Sequence, residues 1–480
     1  MTTPAMRPDH PIPASTNRQR HHQSSRAKSQ RANLGGFFSS LLEAERRSAV
    51  AIAILFVVFI VGAAFGFPLG FSLIGAGIAY LFVSGQDVGL VAAQIVSRLF
   101  ASNVLIAIPL FIFAANVMNA GTITERLLDF GIACVGRVRG GLAHANILTS
   151  LVFSGMSGSA VADAAGPGKV LIAMMTREKR YPGGFACAVT AASATIGPII
   201  PPSIPLILYA LVANTSVGAL FLGGVIPGVM LTLSLMAVVW LISRRRKFPT
   251  EEPIPLSAYP RIVLRAIPPM LMPVILLTGI YSGITTATEA AAVAAAYALF
   301  LAIAVYRVMG LKSLFAVIND SVRTTGIVAV AISGAFIFNF AITNEQVPQA
   351  LASLLAEFDL SPLGFLIVTN IAFLLLGAFF DVAVMLLVLV PLLIPTMIAT
   401  GIDPVHFGVV IVFNIMIGLI TPPYGLLLFV LSALTDIRQG DIVREIWPFV
   451  GALLVVLVAL ILIPDLVLWL PGVFGYRGLG

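Results

Sequence analysis

Residues 193–212 read SATIGPIIPPSIPLILYALV. The stretch is apolar enough to lie in lipid, yet Gly197, Pro198, Pro201, Pro202 and Pro205 all fall in its first half. Proline removes a backbone donor and clashes with the preceding turn, so a membrane helix written this way is interrupted. In hydrocarbon each carbonyl left without an amide costs several kcal/mol unless something else satisfies it. Residues 414–434, NIMIGLITPPYGLLLFVLSAL, repeat the pattern, and Gly197 and Gly418 each open a Gly-x-x-x-Pro-Pro element 221 positions apart.

The rest of the chain agrees with a membrane setting. Of 480 residues, 59% are hydrophobic and 10% charged, more apolar surface than a water-soluble core of this size hides. Apolar windows of about 20 residues, enough to cross the hydrocarbon, recur from residue 49 to 470. No Walker loop, nucleotide-binding glycine fingerprint or zinc spacing occurs, so ATP hydrolysis by this chain is excluded as the energy source. An ion or another component must supply it. Cys134 and Cys187 have no neighbouring ligand set and read as small core residues.

Residues 1–48 differ in composition. They are rich in Arg, Ser, Pro, Gln and His without apolar periodicity, which predicts a disordered tail. The first apolar run has no cleavage site behind a short hydrophobic core, so it is not read as a signal peptide. Arg7, Arg18, Arg20, Arg26, Lys28, Arg31, Arg46 and Arg47 place the tail in the cytoplasm by the positive-inside bias. Contact with RNA or anionic lipid is the alternative to a solvated tail; the expectation is no nucleic acid, with lipid around the spans as the partner. Most of the net charge of +7 lies here, so the balance says little about substrate.

Further matches sit near the same spacing. Pro227 pairs with Pro448, and SGSAVAD ending at Asp163 pairs with LGAFFD ending at Asp381, 218 positions apart. The chain therefore divides into scaffold helices (49–102), a first repeat (103–243), a connecting loop and scaffold helix (244–286), a second repeat (287–470) and a short tail (471–480). The apolar region 145–176 is flanked by Arg137, Arg139, Arg177, Lys179 and Arg180, so both its ends read as cytoplasmic. Its counterpart 362–400 is flanked by Glu357, Asp359 and Asp403 without Lys or Arg, so both its ends read as periplasmic. The first repeat closes on Arg244, Arg245, Arg246 and Lys247 and the second on Trp469, Leu470, Pro471 and Gly472. The prediction is an all-α polytopic membrane protein built of inverted repeats, the arrangement of secondary transporters. Each flanked region returns to its starting face and reads as a re-entrant hairpin, with two full spans and a tight turn as the alternative. Tips fall at Ser154, Gly155, Ser157, Gly158 and Ser159, and at 377–381; the broken helices fall at 185–212 and 405–434.

Carbonyls freed before Pro201, Pro202, Pro422 and Pro423 suit sodium, a hard cation, and half-helix N-termini at the same depth suit a carboxylate. Kinks made for packing are the alternative. Asp163 and Asp381 are charged groups at hairpin level, where a functional role and an N-cap role compete. Lys169 reads as snorkelling rather than pairing with Asp163. Thr286 and Glu289 form a capping-box pattern. Asn339, Asn344 and Glu345 interrupt apolar sequence near a membrane face and have no assignment.

SGSAVADA (157–164), AVTAASATIGPIIPPSIP (188–205), TATEAAAVA (286–294) and GIDPVHFGVVIVFNIMIGLITPPYG (401–425) resemble the large membrane subunit of TRAP transporters, the DctM type. The likeness runs from about residue 50 to the C-terminus. It implies a multi-pass inner-membrane subunit of the ion-transporter-superfamily type, not an enzyme, that imports C4-dicarboxylates, 2-oxo acids or sialic acid with sodium by an elevator motion. Partners implied are a small membrane subunit (DctQ type) and a periplasmic binding protein (DctP type). Two sodium sites follow from the resemblance, one at Ser154, Ser157, Gly197, Ile200 and Pro202, the other at Gly377, Gly418, Thr421 and Tyr424. Substrate would lie near Ser159 and Asp163. GPGK at 166–169 and Tyr424 depart from the commonest family wording. Two other functions compete: a stand-alone carboxylate symporter of related fold, and an intramembrane aspartyl protease using Asp163 and Asp381, for which the Gly-x-Gly-Asp signature is absent.

Overall fold

The computed structural model describes residues 47–101, 104–119, 123–251 and 254–478. Among them all regular structure is helical, and seven helices are long and apolar enough to cross a membrane. The tail expected at 1–48 lies outside the described residues apart from Arg47 and Ser48.

Five helices precede the first hairpin: α1 (Arg47–Ala64), α2 (Leu69–Ser84), α3 (Leu90–Ala101), α4 (Val104–Asn119) and α5 (Ile123–Val135). The hairpin itself is α6 (Gly141–Ser157), α7 (Ala160–Asp163), a π turn (Ala164–Gly168) and α8 (Lys169–Thr176). The first broken helix is α9 (Gly183–Ala194) and α10 (Ile204–Ala213), followed by the spanning α11 (Val217–Arg246). After α12 (Tyr259–Tyr281) and α13 (Ala287–Phe300), α14 (Leu311–Asn344) begins the return, with α15 (Val347–Ala356) behind it. The second hairpin is α16 (Pro362–Gly377), α17 (Val382–Val384), a π turn (Met385–Leu389) and α18 (Val390–Ala399). The second broken helix is α19 (Pro404–Gly418) and α20 (Leu426–Thr435), then α21 (Gln439–Leu462) and α22 (Asp465–Val473).

Local sequence explains the helix starts. Thr286 and Glu289 make both bonds of the predicted capping box, the Thr286 hydroxyl accepting from the Glu289 amide and the Glu289 carboxylate from the Thr286 amide. Asp403 caps α19, accepting from the amides of Val405 (2.7 Å) and His406 (3.2 Å).

Side-chain bonds fix which helix ends share a face. Gly140 N–H donates to Pro249 O (3.0 Å), and Arg180 grips Glu251 through both guanidinium nitrogens (2.8 and 3.2 Å). The two ends of the first hairpin are thereby tied to one loop, as a re-entrant segment requires. Tyr259 O–H donates to Ala133 O, Tyr306 O–H to Arg265 O, and Arg246 pairs with Glu445. This face carries Arg137, Arg139, Arg177, Arg180, Arg244, Arg265 and Lys312 and is cytoplasmic by the positive-inside bias. On the opposite face Tyr476 bonds Asp403 at the start of α19, and Tyr281 bonds Gly218 at the start of α11. α9 and α19 thus enter from opposite sides, and the repeats are inverted.

Two expectations change. α14 leaves the cytoplasmic face and ends beyond the membrane, where Glu345 accepts from Tyr80 (2.6 Å) and from the Ser48 hydroxyl. α1 therefore starts on the extracytoplasmic face, against the expectation of a cytoplasmic basic tail. Charges clustered at the loops of the folded body set the orientation, and long polar segments translocate largely regardless of charge. Secondly, the π turns lie 221 residues apart, as Gly197 and Gly418 do, so Asp163 corresponds to Val384 and Asp381 to Ala160, one residue past the N-cap Ser159. The sequence pairing of the two aspartates at 218 is out of register. Cys187 is buried as expected, whereas Cys134 is exposed on α5.

The packing interlocks the halves. α6 lies on α9 and α16 on α19, each first arm against its own repeat. The return arms reach both repeats: α7 and α8 pack on α9 and also on α20, and α17 and α18 on α10, with α18 touching α19 as well. Both tips and both interruptions converge in one region, with α2, α3, α4, α13 and α14 packed as a separate outer group.

Candidate functional site

At the first tip, α6 ends on Gly158 at φ 59°, a conformation that leaves room only for a hydrogen side chain, since a Cβ there would run into Pro202 O. Ser159 then caps α7 by accepting from the Ala162 amide (3.4 Å). The Ser157 hydroxyl donates to Asp163 Oδ1. Asp163 is 1% exposed, its Oδ2 has no hydrogen-bond donor, and that oxygen lies 2.6 Å from where a Cβ on Gly197 would stand. A carboxylate from the return arm therefore rests on the glycine that opens the first interruption.

Between α9 and α10, Ile199 and Ile200 turn back on Ile196 O and the chain then extends to Ser203. Ser203 caps α10 through the Leu206 amide (3.2 Å) and donates its own hydroxyl to Pro198 O. Among the described residues no backbone amide donates to the carbonyls of Thr195, Gly197, Ile199, Ile200, Pro201 or Pro202. In the second interruption the same holds for Ile420, Thr421, Pro422 and Pro423. The Pro201–Pro202 and Pro422–Pro423 peptide bonds are both cis.

The structure brings most of the sequence-chosen residues together. Ser157, Gly197, Pro202 and Asp163 meet as described. The Ile200 side chain turns away toward Gly228 of α11, leaving its backbone at the interruption. Ser154 is buried, but its hydroxyl donates to Leu151 O of its own helix (2.5 Å). In the other half Gly377 and Gly418 touch: a Cβ on Gly418 would stand 2.6 Å from the Gly377 carbonyl carbon. Thr421 donates to Ile417 O (2.7 Å). Tyr424 is half exposed, lies tilted against Phe429 with ring centroids 4.8 Å apart, and lines a cavity of about 350 Å³ with Gly377 and Asp381. Asp381 caps α17 by accepting from the Ala383 amide (2.9 Å) and is exposed there. Lys169 is exposed and, among the described residues, forms no ion pair with Asp163.

Sequence reasoning missed the polar pins behind these tips. Asn146 donates to Thr190 (2.7 Å), and Ser193 bonds both Asn146 and Ser150, all buried between α6 and α9. Asn414 bonds Asn370 between α19 and α16 (2.8 Å). Ser193 and Asn414 are again 221 apart. The signal was present as small polar residues at helical spacing in apolar runs, but only packing shows that they face each other.

An inverted pair of hairpins closing on an inverted pair of interrupted helices, inside a polytopic helical bundle, defines a membrane transport permease. Residues 56–466 match the family described as the tripartite ATP-independent periplasmic transporter, DctM component. The chain is 41% identical over 412 residues to the sialic acid TRAP transporter large permease protein SiaM of Vibrio cholerae, covering 86% of this chain and 96% of that one. It is 42% identical over 371 residues to the C4-dicarboxylate large permease DctM of Pseudomonas aeruginosa (77% and 87%). To the 2,3-diketo-L-gulonate large permease YiaN of Escherichia coli it is 36% identical (85% and 96%). The crystal structure of the Alcanivorax borkumensis YdaH transporter, at 14% identity, shares the fold with a TM-score of 0.57 over 87% of this chain and 98% of that one. The chain belongs to the DctM family of TRAP transporter large permeases, multi-pass proteins of the bacterial inner membrane. Such permeases are not enzymes, and the protease reading falls with that: Asp163 is buried against Gly197 while Asp381 is an exposed cap.

Proposed function

We propose that this permease imports a small organic carboxylate together with sodium, working with a small membrane subunit and a periplasmic binding protein. The observation that supports it is the pair of donor-free carbonyl runs, each met by a hairpin tip. Bare oxygens in a membrane interior are costly, and a monovalent hard cation is the partner that offsets the cost. One sodium would take carbonyls of the first interruption with Asp163 Oδ2 and Ser157, so Asp163 serves the cation rather than the substrate. The other would take the carbonyls of Gly377, Ile420 and Thr421. The substrate carboxylate would sit between the tips near Ser159, whose capped helix offers an amide end.

The crossed packing supports an elevator motion, because hairpins and broken helices form one interlocked body against the outer group of α2, α3, α4, α13 and α14. Relatives named for sialic acid, C4-dicarboxylate and 2,3-diketo-L-gulonate transport support an organic acid as the substrate.

The test is reconstitution of the permease in proteoliposomes with its small subunit and binding protein, following labelled succinate, pyruvate and N-acetylneuraminate under an inward sodium or potassium gradient. Uptake of at least one acid, driven by sodium alone and requiring the binding protein, is expected. Uptake without the binding protein would favour the stand-alone symporter, and equal uptake in potassium would overturn sodium coupling.

A further inference from the structure

We infer that the extracytoplasmic seam between α3 and the second hairpin is an outer carboxylate site centred on Arg98. A cavity of about 490 Å³ opens there, walled by α3, the end of α14, α15, the α18 arm of the hairpin and the end of α10. Its polar lining is Gln94, Arg98, Asn339, Thr343, Asn344 and Gln349. It faces outward because Asn344 donates to Tyr80 (2.9 Å) in the cluster holding Glu345 and Ser48.

The chemistry selects an anion. No Asp or Glu lines the cavity, and Glu345, one residue past Asn344, is engaged by Ser48 and Tyr80. Among the described residues the Arg98 guanidinium has no ion pair or hydrogen bond, and the donors of Gln94, Thr343 and Gln349 are equally unengaged. An unpaired guanidinium presents two parallel donors that match a carboxylate. The volume holds an acid of a few to some twenty heavy atoms.

The seat also abuts the transport machinery. Asn339 donates to Leu387 O in the π turn of the second hairpin (3.0 Å), and its Oδ1 is buried without a partner. Pro391 and Pro395 of the same arm and Leu211 of α10 form the opposite wall. A solute held by Arg98 therefore rests against the hairpin whose return arm packs on the first broken helix. α3 exposes Val96 (54%) and Phe100 (85%) as an interfacial helix does, which makes an anionic lipid headgroup the rival occupant.

The carboxylate class rests on the proposed function; the test does not use uptake. In a background lacking the native thiols (Cys134→Ser, Cys187→Ala), Thr343→Cys reports on the cavity. Its rates of modification by anionic 2-sulfonatoethyl and cationic trimethylammonioethyl methanethiosulfonate are compared in phosphatidylcholine vesicles. A unit charge lining the same cavity makes the anionic-to-cationic ratio roughly several-fold higher than in Arg98→Gln. Arg98→Lys should keep most of the preference, and Gln94→Glu, which sets a carboxylate beside Arg98, should abolish it. Succinate and N-acetylneuraminate at millimolar concentration should slow the anionic reagent only where Arg98 is intact. A ratio indifferent to Arg98→Gln and Gln94→Glu overturns the site. Protection by phosphatidylglycerol but by neither acid assigns it to lipid and overturns it as well. A reagent preference intact at Thr343→Cys together with no uptake in the separate reconstitution would instead contradict the proposed function and leave this site standing.

Discussion

The two interruptions share a Gly-x-x-x-Pro-Pro sequence, a 221-residue spacing and a run of donor-free carbonyls, but they are finished with different side chains. The first is met by a buried carboxylate, Asp163, held by Ser157, and its outgoing half-helix is capped by Ser203. The second has Val384 where the first has Asp163, a bare contact of Gly377 on Gly418, and a half-helix that starts on Gly425 at φ 53° with no side-chain cap. The two copies share a backbone device and differ in the side chains that complete it. One site holds a buried carboxyl group, and the other opens beside Tyr424 with Asp381 in the lining of its cavity.

That contrast breaks first at the aspartates. Asp163→Asn should weaken sodium dependence of uptake on the order of hundredfold, the loss of about 3 kcal/mol when a charged partner is removed from a buried site. Asp381→Asn should change it less than about threefold, because asparagine caps a helix as well as aspartate does. Sodium titrations of uptake in both variants decide it; equal losses would mean that the copies are not specialised.

A smaller effect separates the two glycines of the second copy. Gly418→Ala drives a methyl into the Gly377 backbone, an overpacking of about 2 kcal/mol and roughly a thirtyfold loss of uptake. Gly377→Ala meets its nearest atom at 3.5 Å and should retain uptake within a factor of about three. Similar rates for the two variants would show that hairpin and broken helix do not cross there.

Smaller still, Thr421→Ala should lower apparent sodium affinity about fivefold, corresponding to one hydroxyl of about 1 kcal/mol, with Thr421→Ser restoring it. Full activity of the alanine variant would remove the side chain from the site and leave only its carbonyl. Thr286→Ala, far from both copies, should cost about 1 kcal/mol of stability through its lost cap and leave sodium titration unchanged. Thermal unfolding in detergent measures the first, and any shift in the titration would argue that α13 is coupled to the site.

Face assignment sharpens the comparison without altering activity. In a background free of native thiols, Ala49→Cys and Glu357→Cys should react from outside the cell and Arg177→Cys from the cytoplasm. Reaction of Ala49→Cys from the cytoplasm would reverse α1 and restore the expected side of the tail.

Much of this molecule is legible along the chain. Composition gives a membrane protein, proline position gives the interruptions, and loop charges at 137–180 and 357–403 give the inversion, because each is a local property that hydrocarbon and membrane polarity act on directly. The DctM resemblance picked out Ser157 and Gly377, which lie at the tips, and Gly197, Pro202 and Gly418, which lie at the interruptions. What local pattern could not supply was register and reach. The Asp163–Asp381 pairing failed because a short motif ending in aspartate fits at 218 as well as a helix does at 221, and only the matched π turns break the tie. The side on which α1 begins also escaped, since counting basic residues in a tail ignores where the helix must pack.

The amino-acid order thus determined where the helices break and from which face each copy enters, since proline geometry and loop charge act residue by residue. Only the tertiary structure decided that the return arms also reach the other repeat, and that within each repeat Asp163 finds Gly197 and Gly377 finds Gly418. Those contacts join residues tens of positions apart through packing between helices, and no periodicity in either partner encodes the other.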